Sequence, residues 1–587
     1  MTRWSAHRRD VVPVIVLTLL FGVLLTTWAY VTPALHGPDE LANVDAAIQL
    51  AMGRSWPAAG DLHYLQGLLA QNVPQQLVPV TGRGSFADVV GDGSVNTLVN
   101  PMSQHPPTYF LAQAVVAHVL DFTTRRWDIV VLGMRLVDVL VMLPLPALVW
   151  ATVRRVTRSP RTALAATVAL FAVPQIAQLG SSVSVWVPVI TAGATATWLG
   201  VRILTGDRSW WTVLALGGTL AIATAVMAGG FMLVPFAIVV VLAGRTVSAH
   251  TASGPTTSGF TTAGFTTAGF TAAGHAVDGI GRRVLRAVVV VAVPAVTTGW
   301  WYLRQFVRTG TPQPDAFPAV TQPWPRYESP APTQFAGAFW DGLSNSFWGR
   351  LGRYEWPLSP IIVDVFTVVA LTVVVWAATR RVAARRTMLL VAVLPATALV
   401  VVLVRDWATY AGHLGVTVNQ GRFLFPSIAA LLLLQALAWA TLVVSPVARV
   451  RLARTALVVA PLMVVASLGL LYSGAFQNTV FGVLRSGVGA LSTSVAYGLK
   501  GVAVLLVLLA VVGVVAFVLL WRAFAAPAPA PEPADASAAP APESADASAA
   551  PAPGPADATA ATAPGGPDEG DPLNSPPTVE PTQRNIP

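Results

Sequence analysis

A dozen apolar runs, each about as long as the 17–25 residues a helix needs to cross a bilayer, govern what this chain can fold into. They lie near 11–31, 129–151, 162–180, 183–201, 209–227, 229–244, 286–303, 358–379, 387–404, 423–444, 455–472 and 498–521. With 54% hydrophobic and only 11% charged residues, the chain falls far below the roughly 25% charge of a soluble domain. The first run, Val11–Val31, is too long for a signal-peptide core and lacks a small-residue cleavage site, so it reads as a retained span. There is no Cys, which excludes disulfides, thiolate metal sites and cysteine nucleophiles. Lys500 is the sole lysine among the 36 basic residues, a bias that points to a GC-rich bacterial genome.

Arginine sets the topology. The formal net charge of +9 combines two opposed parts, because residues 523–587 hold nine acids against one base, Arg584. In a twelve-span arrangement with both termini cytoplasmic, 21 arginines share the inner face with only Asp10, Asp207 and Asp278. The other 14 bases and 15 acids outside the tail lie outside or near the outer ends of spans. The stretch 106–123 is apolar but short and opens with Pro106-Pro107. Making it span would place the arginines at 154–161 and 380–386 outside, against the positive-inside rule. It is therefore expected to be a juxtamembrane or re-entrant helix on the outer face. The positive charge is an orientation signal, and no soluble basic face exists to bind nucleic acid.

The expected organisation is a cytoplasmic N-terminus (1–10), a transmembrane domain (11–522) and an Ala/Pro-rich acidic tail (523–587). The domain carries long outer loops at 31–128 and 304–357 and a cytoplasmic linker at 245–285. That linker repeats Gly-Phe-Thr-Thr-Ala from Gly259, a composition of flexible linkers. The tail repeats every 11 residues from Ala534 and is expected to be disordered.

Four polar clusters fall on the outer side. The first is His36-Gly37-Pro38-Asp39-Glu40, with Asn43 one helical turn beyond Asp39. Proline followed by acids is an ordinary helix start, where carboxylates meet the dipole. Two adjacent carboxylates at the membrane surface also suit a general base with a second acid or metal ligand. The second, Asn100-Pro101 and Gln104-His105-Pro106-Pro107-Thr108-Tyr109-Phe110, fits either a helix start with an aromatic belt or a site-lining segment. The third, Ser346–Trp356, contains Arg350 and Arg353 among Trp and Tyr; the fourth is Asn419-Gln420-Gly421-Arg422-Phe423-Leu424-Phe425-Pro426. Arg422 at a span end either snorkels or, with Arg350 and Arg353, holds a phosphate at headgroup level.

No P-loop, GxSxG, HExxH or paired-His spacing occurs, and no Asp-x-Asp, so no ligand motif supports a divalent metal and any cofactor is left unknown. The spans carry almost no ionisable residues, with Asp138 and Asp364 placed near outer ends. An ion-coupled transporter normally buries charges deep in its helices.

The Pro-Asp-Glu opening of the first outer loop, the His-Pro-Pro-x-Tyr re-entry and the late Gln-Gly-Arg-Phe-Leu-Phe-Pro span together resemble a bacterial membrane-protein family of unknown function. That family is similar to the GT-C superfamily of polyprenyl-phosphate-sugar-dependent glycosyltransferases. The resemblance covers about residues 10–475. It implies an all-α, polytopic GT-C-like bundle in the bacterial cytoplasmic membrane, with its active face extracytoplasmic. It implies Asp39 as the catalytic acid with Glu40 as its neighbour. It also implies Asn43, His105 and Tyr109 in the site, Arg422 with Gln420 at the donor phosphate, and Arg350 as a looser match. The implied partners are a polyprenyl-phosphate sugar donor, an envelope glycan or lipid acceptor and the bilayer. The chain departs from its relatives at Ser181-Ser182-Val183-Ser184-Val185-Trp186, where they carry an acid; this implies metal independence, altered specificity or inactivity. The rival expectations are a polysaccharide or lipid-linked-sugar transporter or flippase, and a non-catalytic protein retaining the fold.

Overall fold

The computed structural model describes residues 2–71, 79–244, 279–316, 330–382, 384–412, 420–479 and 482–525. The Gly/Thr repeat of the 245–285 linker, Asn419 and the tail from 526 lie outside the described residues. Among the described residues, eight helices are long and apolar enough to cross a membrane: Val11–Val31, Trp127–Thr157, Trp186–Leu204, Pro360–Thr379, Arg385–Gly412, Gly421–Leu442, Pro446–Phe476 and Gly498–Ala525. Two further expected spans are bent helix pairs. Pro160–Ala172 meets Pro174–Gly180 at 73°, and Ile280–Thr297 meets Gly299–Thr309 at 62°.

By length the spans thus number eight, or up to ten with each bent pair as one, against the twelve expected. The difference is Trp210–Val226 and Ala228–Ala243, which are apolar but short. Helix Thr108–Val119 has 12 residues, a rise of about 18 Å, too little for a hydrocarbon core of roughly 30 Å. That agrees with a juxtamembrane placement of 106–123.

The first bend has a local cause. Pro174 has no N–H to continue the helix and pushes Val173 towards extended geometry, where it sits at φ −115°, ψ 83°. The chain restarts as Pro174–Gly180, whose seven residues are all buried.

Between the first two spans, helix Glu40–Ala51 packs beside Thr108–Val119, and a short antiparallel ribbon pairs His63–Leu65 with Val95–Val99. Asp45 ties these pieces together. Its Oδ1 accepts Leu65 N–H at 2.8 Å, and its Oδ2 accepts Gln49 Nε2 at 2.9 Å and Asn100 Nδ2 at 2.8 Å. Burial outweighs these donors and pushes the Asp45 pKa up to about 6. Within 304–357, Arg350–Leu351 pairs with Trp356–Pro357 as a small hairpin. Close helix approach depends on glycine at two points. A Cβ on Gly193 would lie 1.9 Å from the Pro426 carbonyl, and one on Gly421 would lie 2.3 Å from the Phe347 backbone.

Candidate active site

Pro38 delivers the chain into helix Glu40–Ala51 with Asp39 at its N-cap. Asp39 is left-handed there, at φ 55°, ψ 10°, a conformation that Asp and Asn adopt more readily than other side chains. Its side chain makes no capping bond. Asn43 instead holds the backbone, donating from Nδ2 to the Asp39 carbonyl at 2.8 Å. The Asp39 carboxylate is left 39% exposed and accepts from Nη1 of Arg422.

Arg422 comes from the 3₁₀ segment Gly421–Ser427 that opens its span. Its guanidinium carbon lies 5.7 Å from the Trp186 ring centre and 5.8 Å from that of Tyr354, within reach of cation–π attraction. Its Nε is buried with no hydrogen-bond partner. Gln420 accepts from the Tyr354 hydroxyl at 3.1 Å, which fixes the ring facing Arg422. Tyr354 is itself left-handed, at φ 68°, at the tip of the hairpin. Two buried glutamines on the restarted helix hold that hairpin. Gln175 Oε1 accepts Arg350 N–H at 2.9 Å, and Gln178 Nε2 donates to the Gly352 carbonyl at 2.7 Å.

His105 is buried on the same side. Trp56 Nε1 donates to its carbonyl at 3.1 Å, and its Nδ1 has no partner. Burial lowers its pKa to about 4, against the pull of the Asp39 charge and with the push of Arg422. The ring is therefore neutral at physiological pH.

Three expected site residues take other positions. Glu40 is fully buried and does not share the opening with Asp39. Arg135 grips it through Nε and Nη2, each at 2.6 Å, and the amides of Gly37 and Val183 each donate to it at 3.1 Å. Burial pushes its pKa up, but Arg135 and the Val183 and Gly37 amides together reverse this and keep it lowered. Tyr109 is buried and donates to Asp138 Oδ2 at 2.7 Å. Arg350 folds onto its own hairpin, with Nε donating to the Tyr354 carbonyl at 2.6 Å.

Arg135 and Asp138 correct the expectation that the spans are nearly free of buried charge. Both lie inside Trp127–Thr157 and are almost wholly buried. Asp138 also accepts Gln113 Nε2 at 3.1 Å and Ser184 N–H at 3.0 Å. The turn 181–186, which has no acid of its own, thus receives carboxylates from two other segments, Glu40 at Val183 and Asp138 at Ser184. Among the described residues no three His, Asp or Glu side chains converge to hold a metal ion.

Residues 104–263 match the family model of dolichyl-phosphate-mannose-protein mannosyltransferases. The match begins at Gln104 and includes His105, Tyr109, Arg135, Asp138 and Trp186; Asp39 and Arg422 fall outside it. No curated protein is a significant sequence match. Among solved structures, the chain is similar to ArnT from Cupriavidus metallidurans bound to undecaprenyl phosphate. That similarity has TM-score 0.41 and 17% identity over 88% of this chain and 75% of ArnT. It is also similar to the archaeal oligosaccharyltransferase AglB from Archaeoglobus fulgidus in complex with an inhibitory peptide and a dolichol-phosphate. There the TM-score is 0.37, with 15% identity over 80% of this chain and 56% of AglB.

Proposed function

We propose that the chain is a GT-C-type membrane glycosyltransferase that moves a sugar from a polyprenyl-phosphate donor to an envelope acceptor, a glycan or a lipid. The observation that carries this reading is the pairing of a part-exposed carboxylate, Asp39, with a buried guanidinium, Arg422. In the reaction, the acceptor hydroxyl oxygen attacks the anomeric carbon while Asp39 takes its proton. The bond from that carbon to the phosphate oxygen breaks, and the polyprenyl phosphate leaves with the bonding electrons. Arg422 stabilises the developing phosphate charge, as a preorganised guanidinium in a water-poor site does most effectively.

The other residues have supporting parts. Gln420 and Tyr354 hold Arg422 in orientation, Asn43 fixes the backbone beneath Asp39, and neutral His105 lines the acceptor side. Glu40 acts as a positioning residue through Arg135. A transporter reading gains little from the charges inside Trp127–Thr157, because Arg135 and Asp138 are both engaged by several protein partners. The excess of arginine expected on the inner face supports a reaction at the extracytoplasmic face, with both termini cytoplasmic. A reporter fused after Asn96 is expected to read as extracytoplasmic and one after Pro160 as cytoplasmic.

The test is glycan transfer in membranes supplied with a polyprenyl-phosphate sugar. Asp39→Asn is expected to abolish transfer at unchanged protein level, and undiminished transfer by that variant would remove Asp39 from the chemistry.

A further inference from the structure

Arg422 holds an anion that belongs to the protein itself. Its Nη1 donates to the Asp39 carboxylate, and in that arrangement one of the two carboxylate oxygens, Oδ2, is turned towards a cation. The guanidinium is nonetheless incompletely satisfied, because its Nε is buried without a hydrogen-bond partner. A buried charged donor left unmade is costly, and the edge that carries Nε has the donor pattern that an oxygen pair of a tetrahedral anion accepts once its neighbours give way. Asp39 is free to move off. Its side chain caps nothing, while its carbonyl is held by Asn43 at both N (3.1 Å) and Nδ2 (2.8 Å). A rotation of the side chain alone releases the carboxylate without disturbing the helix.

We propose that the donor phosphate and the Asp39 carboxylate compete for Arg422, so that donor arrival itself frees the base. This rests on the reading of Arg422 as the phosphate contact. Two anions beside one guanidinium repel each other, and a phosphate bound through two oxygens outcompetes a carboxylate held through one. Until the donor binds, the Asp39 oxygen nearest the guanidinium is engaged and only the other is open to an acceptor hydroxyl. The productive order of binding is therefore donor first, since donor arrival frees the whole carboxylate.

The experiment measures binding of undecaprenyl phosphate to the full-length protein in lipid nanodiscs. An internal competitor lowers apparent affinity by the fraction of time it occupies the site. Asp39→Asn and Asp39→Gly, both compatible with a left-handed backbone, should therefore bind the lipid about tenfold more tightly than the wild type, although Asp39→Asn cannot catalyse. In an Arg422→Gln background that gain should vanish, since coupled residues give non-additive effects. Equal or weaker binding by both position-39 variants overturns the competition and leaves the glycosyltransferase reading standing. Absence of lipid binding by the wild type overturns that reading itself. Inorganic phosphate serves as a control, and its displacing the lipid at equal concentration would overturn the assignment of Arg422 to a lipid-linked phosphate.

Discussion

Arg135 and Glu40, 95 positions apart in sequence, face each other with two guanidinium nitrogens each 2.6 Å from a carboxylate oxygen. The same guanidinium donates from Nη1 to the Ala29 and Thr32 carbonyls and from Nη2 to Pro33, at 2.7–2.8 Å. One side chain therefore satisfies the Ala29 carbonyl at the end of the first span, which has no partner within its own helix, and the Thr32 and Pro33 carbonyls just beyond it, and so holds the segment that leads to Asp39. Removing either partner leaves a buried charge uncompensated, at a cost of about 3–5 kcal/mol. Arg135→Ala and Glu40→Gln should each lower the thermal unfolding midpoint in detergent sharply. Arg135→Leu combined with Glu40→Leu should recover part of that loss, and a double variant no more stable than the singles would contradict the pairing.

Gly421 sits where the chain turns to present Arg422. Because a Cβ there would lie 2.3 Å from the Phe347 backbone, Gly421→Ala must push the 3₁₀ segment away from helix Pro332–Trp348. Overpacking of this kind costs about 1–3 kcal/mol, and a displacement near 1 Å can reduce turnover about a hundredfold. The expected result is protein that still reaches the membrane but transfers sugar poorly. Near-normal transfer would show that the position of Arg422 is not set by this contact.

The glutamines beneath the hairpin give a second route to the same guanidinium. Gln178→Ala leaves the Gly352 carbonyl without its buried donor and loosens the loop that carries Tyr354. Losing such a bond costs about 1–3 kcal/mol. Transfer assayed over a range of donor concentrations should show a raised KM for the lipid donor with a smaller change in kcat. A fall in kcat alone would argue against a role in positioning the phosphate partner.

Acid should destabilise the outer loop through His105. Burial lowers its folded pKa to about 4, below the unfolded value of about 6.5. Between those values the unfolded chain binds more protons, so stability present above pH 6.5 is lost as pH falls towards 4. The contribution is on the order of 3 kcal/mol. Asp45, raised to about 6, acts in the opposite sense over part of the same range, so the informative quantity is the difference between wild type and His105→Gln. Unfolding midpoints taken from pH 4.5 to 7.5 should fall less steeply for the variant, and parallel curves would rule out a buried neutral imidazole.

Hydropathy made the spans legible because apolar length is a local property of the chain. All twelve expected runs are helical, although two are shorter than a straight span and two are bent. Asp39, His105 and Arg422 were also visible, as polar residues next to proline or glycine at apolar boundaries. The bonding of Glu40 was not, because its neighbour in sequence points to the opening while it points inward, and its partner lies 95 residues away. Arg135, and the bonding of Asp138, escaped for a similar reason. Three residues apart on one helix, each reaches partners that only tertiary contact supplies. Tyr109 and Arg350 carried the residue types of a binding site, yet their polar atoms are taken up by Asp138 and by the hairpin backbone.

The left-handed backbone at Asp39 narrows the variation this position can tolerate. Of the residues that accept such a conformation without strain, Asn and Gly preserve the turn yet neither can accept a proton from a hydroxyl. Sequence drift that spares the fold is thereby channelled towards inert residues. Descendants that had lost the chemistry while keeping the architecture would be recognisable by Asn or Gly at position 39 beside an intact Glu40 and Arg135.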